Sequence, residues 1–399
     1  MSRAPLDIAV VGAGIMGLCT AWAAARAGHR VTLLDAGSVP SPRAASFDAH
    51  RAIRTAYGTA HGYQAMAHLA WDAWEALWRD LGAAHYVRTG LLTIRTADAT
   101  PWARDSAEAL AAAGEAVERL SPAALAARLP LVEAGDAEEA FLFPRAGALL
   151  AERIVMDLAA LLPRLGVALR PATRVLGCDP EAGSITTAVG TTRHDRVVVA
   201  PGAWLGTLLP QVAAGIGLVP SRQCLAYYAP PGDLARAWTA APLVVDFRAE
   251  TGFYLIPPVA GTALKVGDHV FSRQGDPDTD PRSAAQADWA PIEAACARRL
   301  SRFAEFRLTG TRICFYAATP DERFVVRPLG ARGLLVSACS GHGFKFGALL
   351  GLAAALALEE GGWAVTLPGW AAGQPTPEAA LAPLRGRLDP AVARAMPSR

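Results

Sequence analysis

Apolar residues open the chain in a short unbroken block, Asp7–Val11, followed by a glycine-rich stretch over 12–17 and an alanine-rich segment over 18–27. The pattern predicts a strand, a tight turn and a helix closed by Gly28, with a second strand over 31–35. Residues 38–47, carrying Pro40 and Pro42, read as a loop. Helical periodicity returns over 63–81, where Trp71, Trp74 and Trp78 fall on neighbouring faces, and again over 151–162. Residues 103–129 mix alanine with charge and predict surface helices broken near Pro122. An apolar strand is expected over 197–200, ending in a Pro-Gly turn. From Leu218 to about Phe271 the pattern turns β-rich, with strands over 243–247, 252–256 and 263–266. Strands over 323–326 and 333–338 precede a long helix over 346–360. The last thirty residues, rich in proline and alanine, are expected to wrap the surface.

Helical and β-rich stretches alternate in an order that fits an α/β nucleotide-binding domain interrupted by a more β-rich α+β domain. At 399 residues the chain is long enough for two or three domains and a large core. It is 52% hydrophobic and 19% charged with a formal net charge of +2, which gives no reason to expect nucleic acid or an acidic membrane as partner. Six scattered cysteines form no CxxC pair. Neither a metal site nor a disulfide framework is therefore expected, and a reducing cytoplasm fits. The apolar start is interrupted by three glycines and preceded by no basic cluster, unlike a signal peptide. The late apolar run over 348–358 is too short to span a bilayer and predicts a buried helix.

Gly12-Ala13-Gly14-Ile15-Met16-Gly17 follows a predicted strand and opens a predicted helix. In that setting Gly12 permits the sharp turn, Gly14 lets backbone approach a pyrophosphate, and Gly17 lets helix and strand pack closely. The phosphates would sit on free N–H groups at the positive end of the helix dipole. Asp35 ends the second strand at the spacing of a carboxylate that binds a ribose hydroxyl, and it disfavours the extra phosphate of NADP. A glycine turn with no ligand is the plainer alternative, and the motif alone does not choose NAD over FAD.

Further motifs occur in order: R-A-I-R-T-A-Y-G from Arg51, F-Y-L-I-P-P from Phe253, L-K-V-G-D-H from Leu264, C-F-Y-A-A-T-P-D-E-R-F from Cys314 and S-G-H-G-F-K-F from Ser340. With the glycine fingerprint, they resemble the monomeric sarcosine oxidase family of the D-amino-acid-oxidase-type flavoproteins, which includes N-methyltryptophan, pipecolate and fructosyl-amine oxidases. The resemblance covers nearly the whole chain. It implies a Rossmann-like FAD-binding domain of the GR2 type over 1–85, 150–218 and 315–380. An interleaved substrate domain built on a large antiparallel sheet would take 86–149 and 219–314, with a tail over 381–399. It also implies bound FAD and oxidation of a secondary amino acid to an imine. Oxygen would then yield hydrogen peroxide, and the enzyme would work as a monomer.

By that resemblance Cys314 is the thioether link to the flavin, helped by the nearby Arg312, although a buried core cysteine is the ordinary alternative. Lys265 matches the lysine that lies over the flavin and activates oxygen, where a fixed cation stabilises the new negative charge. His269 and Tyr254 match residues lining the substrate pocket, and a histidine there would tune proton traffic near neutral pH. Arg54 and Lys345 would hold the substrate carboxylate, Arg51 would lie near the flavin ring, and Tyr316 would line the same cavity. Gly12, Gly14, Ile15, Met16, Gly17, Asp35, Ser46, Val175, Gly341, Gly343 and Phe344 complete the expected cofactor contacts, together with Arg51 and Lys345. The chain departs from the family at two places, and at one of them Arg323 stands where histidine or glutamine is more usual. Ser46–Arg51 reads S-F-D-A-H-R where covalent-flavin members read S-H-H-G-D-T-R, so covalent and noncovalent attachment both stay open. Three other functions remain to be separated: a flavin dehydrogenase using another electron carrier, an NAD-dependent dehydrogenase, and a flavin-bearing subunit without catalysis.

Overall fold

Asp7–Val11 lies inside a six-stranded sheet, with Ile8, Ala9 and Val10 fully buried. Its parallel neighbours are Arg30–Leu34 and Arg196–Val199, and the order runs Val325–Leu329, Gly333–Ser337, Arg196–Val199, Asp7–Val11, Arg30–Leu34, Ala168–Arg170. Only the Val325–Leu329 edge is antiparallel. Apolar side chains on both sides of a strand suit a sheet covered on both faces; long helices cover one face, and a strand segment around Ile185 with the short helices at Leu205 and Ala213 covers the other. The computed structural model describes residues 4–248, 252–271 and 273–388.

Helix Ile15–Arg26 begins directly after Gly14, earlier than the periodicity suggested, because the turn uses only Gly12 at φ +101°. A Cβ on Gly17 would stand 1.8 Å from the Gly12 carbonyl oxygen, so helix and turn are fitted to glycine there. The helix packs along Gly347–Glu359, which is buried nearly all round, and Gly351 lets the two backbones touch: a Cβ there would meet Cys19 backbone at 2.5 Å.

The second large sheet has eight strands in the order Arg307–Ala318, Val219–Ala229, Leu264–Asp268, Phe253–Ile256, Leu243–Asp246, Leu91–Arg95, Glu139–Phe143, Glu118–Leu120. All its pairs are antiparallel except Leu243–Asp246 with Leu91–Arg95. A small sheet of Arg51–Arg54, Ala146–Leu149 and Tyr86–Arg88 lies in the same fold, and Val175–Asp179, Ser184–Thr187 and Gly190–Arg193 form another. The mixed α/β architecture with a large, mostly antiparallel sheet is the one expected. Position 314, where the passage between domains was expected, falls within the continuous strand Arg307–Ala318.

Two local expectations are corrected. Pro122 starts a helix, Pro122–Arg128, instead of breaking one, with Ser121 accepting the Ala124 N–H as its cap; proline suits a first helical position because its missing N–H has no partner there anyway. Residues 378–388 form the helix Glu378–Leu388 and not a loose wrapping. Its Leu381, Leu384 and Leu388 recur at helical spacing and enter the core with Trp74 and Leu350. The remainder of the expected tail, 389–399, lies outside the described residues. No helix among the described residues is long and apolar enough to cross a membrane.

Candidate active site

A cavity of about 890 Å³ runs from the glycine turn to the face of the second sheet. At its first end stand Gly12, Gly14, Ile15, Met16 and Asp35, with Ser46 and Val175 on its walls. Asp35 accepts the N–H of Ala13 and of Gly37 on separate oxygens, each at 2.8 Å, which ties the second strand to the glycine turn. The Ser46 hydroxyl accepts the Ile15 N–H at 2.9 Å, at the helix N-terminus. A Cβ on Gly12 would collide with the Ala200 carbonyl oxygen at 2.4 Å, whereas one on Gly14 would find nothing nearer than 3.5 Å. Gly12 thus serves the fold and Gly14 keeps an open approach.

Strand alternation builds the other end. Arg312, Cys314 and Tyr316 share one face of Arg307–Ala318, while Ile313 and Phe315 pack on Ala203 and Cys224. Directly paired strands put Tyr227, Lys265 and Tyr254 on that same face, through Tyr227 opposite Lys265 and Tyr254 opposite Gly267. Glycine at 267 makes room for the Tyr254 ring, whose hydroxyl would lie 2.6 Å from any Cβ there. Burial pushes the Tyr254 phenol up to about 12 and raises Tyr316 well above its ordinary value, so both keep their protons.

Lys265 has no exposed surface, and its ammonium meets Asp48 at 2.9 Å and also donates to the His50 carbonyl. Burial and the Arg51 guanidinium draw its pKa well below the ordinary value, and the carboxylate opposes that shift. Arg51 donates to Asp48 and to the carbonyls of Ala45 and His50.

Cys314 is fully buried beside Leu225 and Tyr316, and the thiol that reaches the cavity wall is Cys339. Arg51 and Arg312 do lower the Cys314 pKa, but burial outweighs them and the net shift is upward. The activating effect expected of Arg312 is therefore present but outweighed by burial.

Arg54 and Lys345 stand on the same cavity with His269. Arg54 lies between the rings of Tyr57 and Trp102, at 4.4 and 4.8 Å from their centroids. Lys345 donates to the His342 carbonyl at 2.9 Å. Burial, and then Arg54, lowers the Lys345 pKa well below its usual value. Neither cation has an acidic partner within ion-pair distance among the described residues. His269 stacks on Phe247 at 4.8 Å, and its Nε2 has no partner. Burial and Arg54 bring it down to about 4, so it is neutral at pH 7 and does not titrate near neutrality as the sequence suggested.

Gly341, Gly343 and Phe344 complete the wall. Gly341 has φ +75°, and a Cβ on Gly343 would stand 1.6 Å from the Ala338 carbonyl oxygen. The turn leads through a short 3-10 segment, Phe344–Phe346, into Gly347–Glu359. Sequence reasoning passed over Asp48, Tyr57, Trp102, Phe247 and His342. The signal for Asp48 was present, since an acid inside an otherwise uncharged segment before Arg51 asks for a partner. Trp102 lies far from any motif, and Phe247 lies just outside one.

A dinucleotide the length of FAD fits these residues: an open glycine at a helix N-terminus, a carboxylate at the second strand, and one continuous cavity from there to Lys265. The family model described as DAO, FAD dependent oxidoreductase, matches residues 7–367. Monomeric sarcosine oxidase from Bacillus sp. (strain NS-129) is 28% identical over 354 residues, covering 86% of this chain and 90% of its own. N-methyl-L-tryptophan oxidase from Citrobacter koseri is 28% identical over 361 residues, with 88% and 93% covered. Among solved structures, NikD, an unusual amino acid oxidase essential for nikkomycin biosynthesis, aligns in its open form with a TM-score of 0.76 at 21% identity, over 90% of this chain and 95% of that one. L-proline dehydrogenase from P. horikoshii gives 0.74 at 19% identity, over 90% and 94%. At these identities the two structures attest the fold.

Proposed function

Because the chain belongs to the FAD dependent oxidoreductase family, we propose that it oxidises the carbon–nitrogen bond of a secondary amino acid, sarcosine-like, N-methylated or cyclic. The products are an imine and, from oxygen, hydrogen peroxide. The observation that carries this reading is the pair Arg54 and Lys345, two enclosed basic groups on one cavity wall with no carboxylate among the described residues within ion-pair distance. Uncompensated buried charge is costly, and a substrate carboxylate would relieve it.

FAD, when bound, supplies the two-electron acceptor that the side chains lack. Gly14, the N-terminus of Ile15–Arg26, Asp35, Ser46 and Val175 would hold its nucleotide half, and Arg51, Gly341, Gly343 and Phe344 its ring. Arg54 and Lys345 bind the substrate carboxylate and thereby fix the position of the α-carbon. The unpartnered Nε2 of neutral His269 offers the amine a hydrogen bond, and the surrounding positive charge favours the neutral amine that can be oxidised. Trp102, Phe247 and Tyr254 keep water from the reacting centre. Lys265 holds a positive charge where oxygen gains electrons. In balance, the secondary amine loses two electrons and two protons, oxygen gains both, and the imine leaves to hydrolyse. The enzyme is read as a monomer, with the small amine and oxygen as its partners.

The test is anaerobic mixing of the FAD-loaded protein with a panel of N-alkyl and cyclic amino acids. Bleaching of the flavin absorption by at least one supports the reading, and a panel without effect defeats it. Readmitting air, or an artificial dye in its place, distinguishes an oxidase from a dehydrogenase. The same reading takes Cys314 as the covalent attachment point on the resemblance of its motif alone, since Cys339 is the thiol on the cavity wall. Acid precipitation leaves colour in the pellet if that bond exists and releases it to the supernatant if not.

A further inference from the structure

Asp48 and Lys265 form the most deeply enclosed ion pair among the described residues, with side-chain exposures of 1% and 0%. An ammonium out of water reverts to the neutral amine unless something retains its proton. Several groups face this one: Arg51 and His50 beside Asp48, Tyr227 on Val219–Ala229, and Arg312 and Cys314 on Arg307–Ala318. Burial keeps the Tyr227 and Cys314 protons in place, so neither is an anion at neutral pH. Asp48 is the only negative charge in that ring. Its own position is fixed four times over. One oxygen accepts the Ala49 N–H at 2.7 Å and the Tyr227 hydroxyl, and the other accepts Arg51 and Lys265. Asp48 and Tyr227 also border a second cavity of about 540 Å³, while Lys265 lies on the one that holds Arg54 and Lys345.

We propose that Asp48 is the positioning residue of Lys265: its carboxylate keeps the buried side chain cationic and aimed, and without it Lys265 becomes a neutral amine in the neutral pH range. The consequence for peroxide formation rests on the amine-oxidase reading, whereas the pairing does not. Making hydrogen peroxide from oxygen takes two electrons and two protons, both supplied in the overall balance by the substrate. The positive charge at Lys265 offsets the negative charge that oxygen acquires before its protons arrive. With Arg51 and Lys265 set against one carboxylate, the cluster keeps a net charge of one positive.

The experiment uses FAD-loaded protein and the variant Asp48→Asn. After anaerobic reduction by substrate, reaction of the wild type with oxygen should stay level through neutral pH. In Asp48→Asn it should drop by about tenfold or more as pH rises, with its midpoint at least about one unit lower than in the wild type. The visible absorption of the substrate-free protein should titrate at that same midpoint in Asp48→Asn. It should not titrate in Asp48→Asn/Lys265→Met, which has no lysine there to lose a proton. An Asp48→Asn absorption titration that superimposes on the wild type overturns the proposal. If Asp48→Asn does not fold, the double variant should, because it removes both charges of the pair; a double variant that fails equally also overturns it. If no amine reduces the flavin, the functional reading falls, and the substrate-free titration still decides the role of Asp48.

Discussion

Lys265 and Lys345 are both lysines held out of water, and their surroundings set them different tasks. Lys265 has a carboxylate at 2.9 Å, while Lys345 has a carbonyl oxygen and the neighbouring charge of Arg54. A lowered lysine pKa means that the cation is present below that pKa and is lost as pH rises through it. A small carboxylate without an amine, such as propionate, should therefore bind best at low pH and weaken as pH rises, with uptake of about one proton on binding. Titrating the flavin absorption with propionate at several pH values measures this, and Lys345→Met should flatten the dependence. Arg54→Met should raise KM roughly 10- to 100-fold, the cost of a charge-assisted hydrogen bond, with a smaller effect on kcat. Lys265→Met should slow the oxygen step about 100-fold or more while substrate still bleaches the flavin. Stopped-flow absorption separates the two half-reactions.

At the scale of elements, the site depends on period-two alternation in strands and on glycines where backbones touch. Gly351→Ala would push Gly347–Glu359 off Ile15–Arg26 at a cost of about 1–3 kcal/mol. Gly362→Ala, with no neighbour within 4 Å, should be close to neutral. Thermal melting of the two variants makes the comparison. These same devices decide what could be read from the chain. The strand–turn–helix at Asp7–Arg26 was legible because a short apolar block, three glycines and an alanine run each have one local solution. Lys265, Tyr254 and Tyr316 were legible only through motif resemblance, since nothing local marks one strand lysine as buried. Trp102 and Phe247 were not legible at all. Their contact, 4.5 Å between ring centroids, joins residues far apart in the chain. The His269 expectation missed because burial and Arg54 together outweigh its ordinary pKa.

The whole molecule stores several neutral histidines. His50 is held down to about 3 and His269 to about 4, and His342 also lies well below its ordinary value of 6.5, in each case chiefly by burial. The unfolded chain takes up these protons near pH 6.5 and the folded one does not, so stability should fall as pH drops from about 6.5 towards 4. At about 1.4 kcal/mol per unit, His269 alone accounts for roughly 3 kcal/mol of this loss by pH 4. Denaturant unfolding at pH 7 and pH 5 should show the loss, and His269→Gln should reduce it.

The close fit of Gly347–Glu359 against Ile15–Arg26 also governs the order of biosynthesis. The glycine turn leaves the ribosome long before the helix that braces it. Until then the nascent nucleotide-binding half exposes an apolar helix flank and has no closed site for its coenzyme. A chain stopped at Ser340 should accordingly be colourless and readily digested by protease, although its fingerprint is intact.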